Sequence, residues 1–589
     1  MSDVQLALES ILIADCGSST TKVVLLDVVE GQYRFIAYAQ SISTVKQPWR
    51  DVSAGVIDAI RQLEQTTGRT FLDRNNQLVT PEYGDGRGID RFLATSSAAE
   101  PLRVVLAGLV RDVSLASARR AALSTYTDLV DIISLEQAPD QNEPRAQDDQ
   151  INAILRELPD AICIAGGTDG GATTPVLTIA RDIIRVALYL MGDAAPPIVY
   201  AGNARLGKQI AKLFDGLTQV QIVDNVRPLP NAENIAPAHE ELELLFYDLK
   251  MSALPGIQTL TAWTPAIVLP TARASDYVVR FCERVWQSSK PALSVDVGSS
   301  TVTLNVCQDG HPLTTVRTDI GIGYGLTGLL HQVDLDAILR WLPFELSRPE
   351  AYDRLMNKTL RPGSIPQTRQ DLLLIQAAAR EAIRVALDDS LPGWPQRSDG
   401  REGMIPACDP IIAGGRLLTQ APDHGYAALI LLDALQPLGV SALYLDEHNL
   451  LPALGVAGVV EPMILVQALR NDGLTFLGVV VAPAGYAKPG DTALTVKSAD
   501  KTSDLRVEVK FGDVQIIPLE TVAPGSKLQL LPASGLDIGQ GKGKSQTIEC
   551  PGGAVGLIVD ARGRPLALDE DEQTRRQQLD RWLEQMTTV

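Results

Sequence analysis

Two stretches 281 residues apart carry the same pattern, and that repetition constrains the fold more than any other feature of the chain. The first, Ile11-Leu-Ile-Ala-Asp15-Cys-Gly17-Ser18-Ser19-Thr20-Thr21-Lys22-Val-Val-Leu-Leu-Asp27, runs from an apolar strand through an acid and a glycine-hydroxyl turn into a second apolar strand. The second is Leu293-Ser-Val-Asp296-Val-Gly298-Ser299-Ser300-Thr301-Val-Thr303. Gly17 and Gly298 permit a sharp bend, so backbone N–H groups and hydroxyls can face phosphate oxygens. A carboxylate at the strand end can hold Mg²⁺ directly or through its waters, because that cation prefers oxygen. Either hairpin alone reads equally well as a tight β-turn with polar residues. Both in one chain predict two lobes closing on a single nucleotide.

The length of 589 residues exceeds one hydrophobic core and predicts three or four domains. A formal charge of −19 argues against a nucleic-acid surface, which needs clustered Lys and Arg. No signal segment or membrane-length apolar run is present, so no membrane contact and a cytoplasmic location are expected. The six cysteines form no C-x-x-C pair and the five histidines no ligand spacing; buried apolar packing explains the cysteines, and a transition-metal site is not expected.

Val52, Val56, Ile60 and Leu63 fall at helical spacing behind the first hairpin, as do Leu372, Ile375, Ala379 and Ile383 behind the second. Ala161-Ile-Cys-Ile-Ala165 and Pro197-Ile-Val-Tyr-Ala201 read as short buried strands ended by glycine, and Pro410-Ile-Ile-Ala-Gly414-Gly415 as another. Gln137 to Gln150 and Ser390 to Pro406 read as loops. Near residue 460 the pattern changes to alternating strands such as Leu505 to Phe511 and Lys527 to Leu531, separated by Gly and Pro turns. A terminal helix follows, with Leu579, Trp582 and Leu583 on its apolar side. The expected domains are 1–285, 286–460 and a β-rich 461–589.

Asp15, Gly17, Ser18, Thr20, Thr21 and Lys22 form the first phosphate candidate, and Asp296, Gly298, Ser299, Ser300 and Thr301 the second, with Asp15 and Asp296 as metal carboxylates. Gly414-Gly415 would let a flat adenine or ribose approach the backbone; a plain strand-to-helix turn explains the pair equally well. Gly202-Asn203 ends another apolar strand and is a partial echo of it. The densest glycine loop, Ala165-Gly-Gly-Thr-Asp169-Gly-Gly171, carries one acid that could orient a water or metal ligand near the phosphates, so Asp169 joins Asp15 as a catalytic candidate. An Asp-Gly turn is the alternative. The run Gly539 to Ser545 lacks the first P-loop glycine and a strand-to-helix setting, and is rejected as one.

The D-x-G-[ST]-[ST]-T-x-K hairpin, the second D-x-G hairpin and the later A-G-G strand resemble the nucleotide motifs of the actin, sugar-kinase and Hsp70 superfamily. More narrowly, Ala94-Thr-Ser-Ser-Ala-Ala99 with Leu102-Arg103, Gly108-Leu-Val-Arg-Asp-Val113, Ala118-Arg-Arg-Ala-Ala122, the Ala165 to Gly171 loop and Ala201-Gly-Asn203, in that order, resemble the glutamate mutase accessory family of MutL or GlmL type, which is distinct from mismatch repair. The resemblance covers about residues 10 to 460. It implies two actin/Hsp70-like (RNase H-like) lobes, bound ATP and Mg²⁺, and a chaperone-like role toward an adenosylcobalamin-dependent mutase. The chain departs from that family in three places. Asp296 to Thr303 lacks a glycine and the closing acid of the usual D-I-G-G-A-T-T-D, the Arg-His pair on the following helix is not recognisable, and the β-rich segment lies beyond the family core. A small-molecule kinase or an actin-like scaffold are the competing readings; an iron–sulfur activator conflicts with the scattered cysteines.

Overall fold

The computed structural model describes residues 8–136, 145–264, 266–286, 288–394, 404–471, 473–499, 505–518 and 525–587. Its first sheet has five strands in the order Leu269–Pro270, Arg91–Ser96, Ile11–Cys16, Thr20–Val29, Gln32–Ile42. The last three are antiparallel neighbours, and Arg91–Ser96 runs parallel to Ile11–Cys16. Ile11–Ala14 is apolar at every position because both faces of the strand are covered. Helix Val52–Thr67 packs behind it on Val52, Val56, Ile60 and Leu63, as the spacing predicts. Asp51 caps its start by accepting from Ser53 N, and Gly68 ends it in the left-handed conformation.

The second sheet begins with the same order: His311–Arg317, Val302–Gln308, Ala292–Val297, Ile411–Gly414, Gly439–Leu445. Helix Arg369–Ser390 covers it, started by a Thr368 cap, with Ile375, Ala379 and Ile383 buried. This repeated order, a three-strand antiparallel meander followed by two further strands, is the RNase H-like arrangement of actin and Hsp70. The sheet does not stop there. Thr475–Ala482 pairs antiparallel with Gly439–Leu445, Gly556–Asp560 pairs parallel with Thr475–Ala482, and Val514–Ile517 completes eight strands. The sheet therefore runs across residue 460.

A separate four-stranded antiparallel sheet, Arg506–Lys510, Thr492–Ser498, Ser526–Pro532, Gln546–Cys550, makes the C-terminal region β-rich. Its Leu494, Val496, Leu528 and Leu530 share a core with Val440, Val479, Val481, Leu557 and Val559 of the eight-stranded sheet. Helix Glu572–Gln585 buries Leu579, Trp582 and Leu583 in the main core of the second sheet. A buried ion network ties the same region down: Asp433 meets Arg380 at 2.7 Å and Arg562 at 2.7 Å, and Asp560 meets Arg562 at 2.8 Å and Arg564 at 2.6 Å. Burial disfavours each lone charge, and only the mutual pairing makes the arrangement tenable. The flanking arginines hold the Asp560 carboxyl far below the usual carboxylate range.

Between Arg91–Ser96 and Leu269–Pro270 lies a third, all-parallel sheet in the order Thr127–Ser134, Leu102–Gly108, Ala161–Ile164, Ile198–Tyr200, Val220–Ile222. The strands expected at 161–165 and 197–201 lie side by side in this sheet, as Ala161–Ile164 and Ile198–Tyr200. The loop expected over Gln137 to Gln150 ends early. Residues 137–144 lie outside the described set, and a helix runs over Gln147–Glu157 because Ile151 and Ile154 find a core while Asp148 and Asp149 suit a helix start. The loop expected from Ser390 likewise begins with a short helical turn, Leu391–Gly393; residues 395–403 are outside the described set. Gly539 to Ser545 contains no helix; Gly539 N and Gly541 N both donate to Asp537. No helix among the described residues is long and apolar enough to cross a membrane.

Candidate nucleotide cleft

The two hairpins face one cavity of about 710 Å³. Their turns are built alike: Gly17 N donates to Thr20 O at 2.9 Å, and Gly298 N to Thr301 O at 2.8 Å. The turns also touch, with Ser18 Oγ 2.9 Å from Ser300 Oγ. Asp15 and Asp296 occupy corresponding positions, each near the end of a strand that pairs with the following one in the same register.

Asp15 accepts from Thr95 Oγ1 at 2.8 Å and from Thr271 Oγ1 at 3.0 Å. Desolvation raises its carboxyl above the ordinary range, and the two hydroxyls and Lys22 only partly offset this. Asp296 is pushed up to about 7 by burial and then by the charges of Asp15 and Asp446, against the pull of Lys22. Asp446, at the start of the turn after Gly439–Leu445, is raised to about 6 by burial, although Leu450 N and Leu451 N donate to its two oxygens. Lys22 is buried too; desolvation lowers its ammonium while the three carboxylates hold it up. One ammonium among three acids leaves surplus negative charge, which suits a hard divalent cation. Mg²⁺ takes one or two carboxylates and completes its shell with water and phosphate, so Asp15 and Asp296 could hold it. Among the described residues no cluster of three or more ligand side chains forms a full protein cage.

Most expected contacts reach the cavity: Asp15, Gly17, Ser18, Thr20, Lys22, Asp296, Gly298, Ser299, Thr301, Gly414 and Gly415 line it. Thr21 does not, because side chains alternate along a strand and Thr20 and Lys22 take the cleft face. Its hydroxyl is buried on the other side without a partner. Ser300 is spent on Ser18 rather than on the cavity wall. Lys22 lines the cavity, yet its ammonium donates to His448 O and, at 3.5 Å, to Asn449 O. Gly414 gives room for Asp296, whose Oδ1 would lie 3.1 Å from an added Cβ, and Gly415 has φ +94°.

Asp169 is not brought to the cleft. It sits on the inserted parallel sheet, where its carboxylate accepts from Ala204 N and Asn225 Nδ2, each at 3.0 Å. Gly202-Asn203 packs on that same glycine loop, with Asn203 N donating to Gly166 O at 3.1 Å. The echo between Gly202-Asn203 and Gly414-Gly415 therefore fails. The strand matching Ile411–Gly414 in the first sheet is Arg91–Ser96, whose Thr95 serves Asp15.

Sequence reading missed Thr95, Thr271, Asp446 and Asn449 on the acid side. The signal for Asp446 was available: it follows the apolar strand Gly439–Leu445. It also missed further lining residues, Lys358, Thr419, Gln420 and those of the Pro362 to Arg369 loop, together with the role of Arg416. Burial, and then the charge of Arg416, lower the Lys358 ammonium, which donates to Pro362 O at 2.8 Å and to Ser364 O.

A family model described as MutL protein matches residues 11–472, a span that contains both hairpins and every cleft residue named above. The chain belongs to the MutL protein family. Protein MutL of Clostridium tetanomorphum is 24% identical over 403 residues, covering 65% of this chain and 78% of that protein. Among solved structures, the ATP-dependent caprolactamase of Pseudomonas jessenii aligns over 85% of this chain and 81% of its own, at 12% identity and TM-score 0.31. Component A of (R)-2-hydroxyglutaryl-CoA dehydratase from Acidaminococcus fermentans aligns over 76% and 96%, at 8% identity and TM-score 0.25. The MutL match ends just before Thr475–Ala482, so three strands of the eight-stranded sheet lie beyond it.

Proposed function

We propose that this MutL-family protein binds Mg·ATP between its two hairpins and serves as a chaperone-like accessory or reactivating factor for an adenosylcobalamin-dependent mutase such as glutamate mutase. The observation that carries the nucleotide reading is the pair of Asp–Gly–hydroxyl turns meeting at Ser18 and Ser300 over one acid-lined cavity. The client reading rests on family membership.

In this reading the N–H groups of the two turns, with the hydroxyls of Ser19, Thr20, Ser299 and Thr301 on the cavity wall, hold the phosphates. Asp15, fixed by Thr95 and Thr271, and Asp296, made room for by Gly414, hold Mg²⁺ or its waters. The metal neutralises charge on the phosphates when bound. Gly415 brings backbone to the sugar or base, and Lys358 and Arg416 line the same cavity.

Mg·ATP is expected to raise the melting temperature by mass action. Asp15→Ala is expected to weaken Mg-dependent binding by about 10- to 100-fold, the usual scale for losing a residue that organises a metal. No thermal shift at millimolar Mg·ATP would refute the nucleotide reading. The accessory role is tested by adding the protein and ATP to an inactivated cobalamin-dependent mutase; recovery of mutase turnover supports it, and no recovery with a binding-competent protein counts against it.

A further inference from the structure

The turn from Asp446 to Leu450 is held from three sides. Lys22 of the first hairpin donates to the carbonyls of His448 and Asn449. Gly415 N, in the glycine turn of the second sheet, donates to Asn449 Oδ1 at 2.8 Å. Asp446 accepts from Leu450 N at 2.6 Å and Leu451 N at 2.8 Å, and so holds the two N–H groups at the start of helix Leu451–Val460. The His448 ring also stacks on Phe35 of the first sheet's edge strand, with centroids 5.1 Å apart. Asn449 carries φ +46°, a left-handed conformation that Asn tolerates better than most residues but that still needs support.

The helix that this turn starts packs against Thr271–Trp286 so closely that a Cβ on Gly455 would overlap the Ala274 carbonyl. That second helix begins at Thr271, whose hydroxyl holds Asp15. Both packed helices thus start at the carboxylate cluster, and one five-residue turn is tied to the first hairpin through Lys22 and to the glycine turn of the second sheet through Gly415.

We propose that this turn reports cleft occupancy to the helix pair, with Asn449 as its positioning residue; the inference rests on the nucleotide reading above. A phosphate that draws the Lys22 ammonium withdraws its bonds to His448 O and Asn449 O, and a sugar or base that draws the Gly415 N–H withdraws the one to Asn449 Oδ1. The ligand's differential contact with the tied and released turn is what shifts the equilibrium, and no larger effect is needed. Released, the strained Asn449 relaxes and the first turn of Leu451–Val460 loosens.

The test is hydrogen exchange of the full-length protein with and without saturating Mg·ATP, with binding followed by calorimetry. Saturation is expected to speed exchange at the Leu451, Ala453 and Leu454 amides by about threefold or more, as for a local opening of modest cost. Asn449→Gly keeps access to the left-handed backbone and deletes the amide acceptor. Its exchange there is expected to be fast already and unresponsive to ligand. Lys22→Met, which severs the other tie, is read in the same way at saturation should Asn449→Gly not fold. Binding in the wild type with unchanged exchange at these amides overturns the relay alone. So does a full response in a variant that binds. No heat of binding in the wild type overturns the nucleotide reading and the relay with it.

Discussion

The two hairpin sheets share a core and differ in how they are enlarged. The first keeps five strands and accepts a whole parallel sheet between its fourth and fifth; the second gains three strands at its edge from the C-terminal region. An insertion between strands leaves the pairing of Ile11–Cys16 with its neighbours intact, whereas an extension becomes part of the sheet itself. The difference teaches that the insertion is a neighbour of the first sheet while the C-terminal strands are structural members of the second.

The largest effect should follow from cutting at that point. A chain ending at Val460 loses Thr475–Ala482, Gly556–Asp560 and Val514–Ile517, bares the edge of Gly439–Leu445, and is expected to be recovered as aggregate. A soluble, folded truncation with native Mg·ATP affinity would break the comparison. Asp560→Ala tests the same dependence by one side chain. It leaves Arg562 sharing Asp433 with Arg380 and leaves Arg564 buried with no acid, and urea unfolding should show a loss of about 3–5 kcal/mol. A loss under about 1 kcal/mol would mean that water or a shifted acid replaces Asp560.

Asp296 and Asp446, raised to about 7 and about 6, sharpen the comparison at the site. Groups raised in the fold bind more protons there than when unfolded, so nucleotide-free stability should fall as pH rises from about 4 to 7. Mg²⁺ needs the ionised forms, so Mg·ATP affinity should rise over pH 5.5 to 7.5 and then level off. Calorimetry in two buffers would show proton release near pH 6, and its absence would mean that both acids are already ionised. The smallest effect belongs to Thr21→Val, which removes an unpartnered buried hydroxyl facing away from the cleft. Affinity should not change and stability should rise by up to about 1 kcal/mol; the Thr20 position, on the cavity wall, should not tolerate the same change without weaker binding.

Both hairpins, both supporting helices and the Gly414-Gly415 turn were legible because each is encoded locally: apolar strand, acid, glycine, hydroxyls, then helical spacing. Strand partnership was not. Ala161–Ile164 and Ile411–Gly414 look alike as short apolar strands ended by glycine, yet they lie in different sheets. Asp169 was misplaced for that reason, and Thr21 because a motif string carries no sense of which face a strand residue takes. Alternation in Arg506–Lys510 identified a strand, while nothing local showed that Gly556–Asp560 would cross into the second sheet.

The position of Asp560 in the chain has a consequence for synthesis. Its buried pairing with Arg562 closes on Asp433, and Gly556–Asp560 seats beside Thr475–Ala482, so the second sheet cannot be finished when its own hairpin leaves the ribosome. More than 250 residues separate Thr303 from Asp560, on the order of tens of seconds of translation. During that interval the nascent chain carries one complete hairpin sheet and one whose Gly439–Leu445 edge is open to other strands until Thr475–Ala482 arrives.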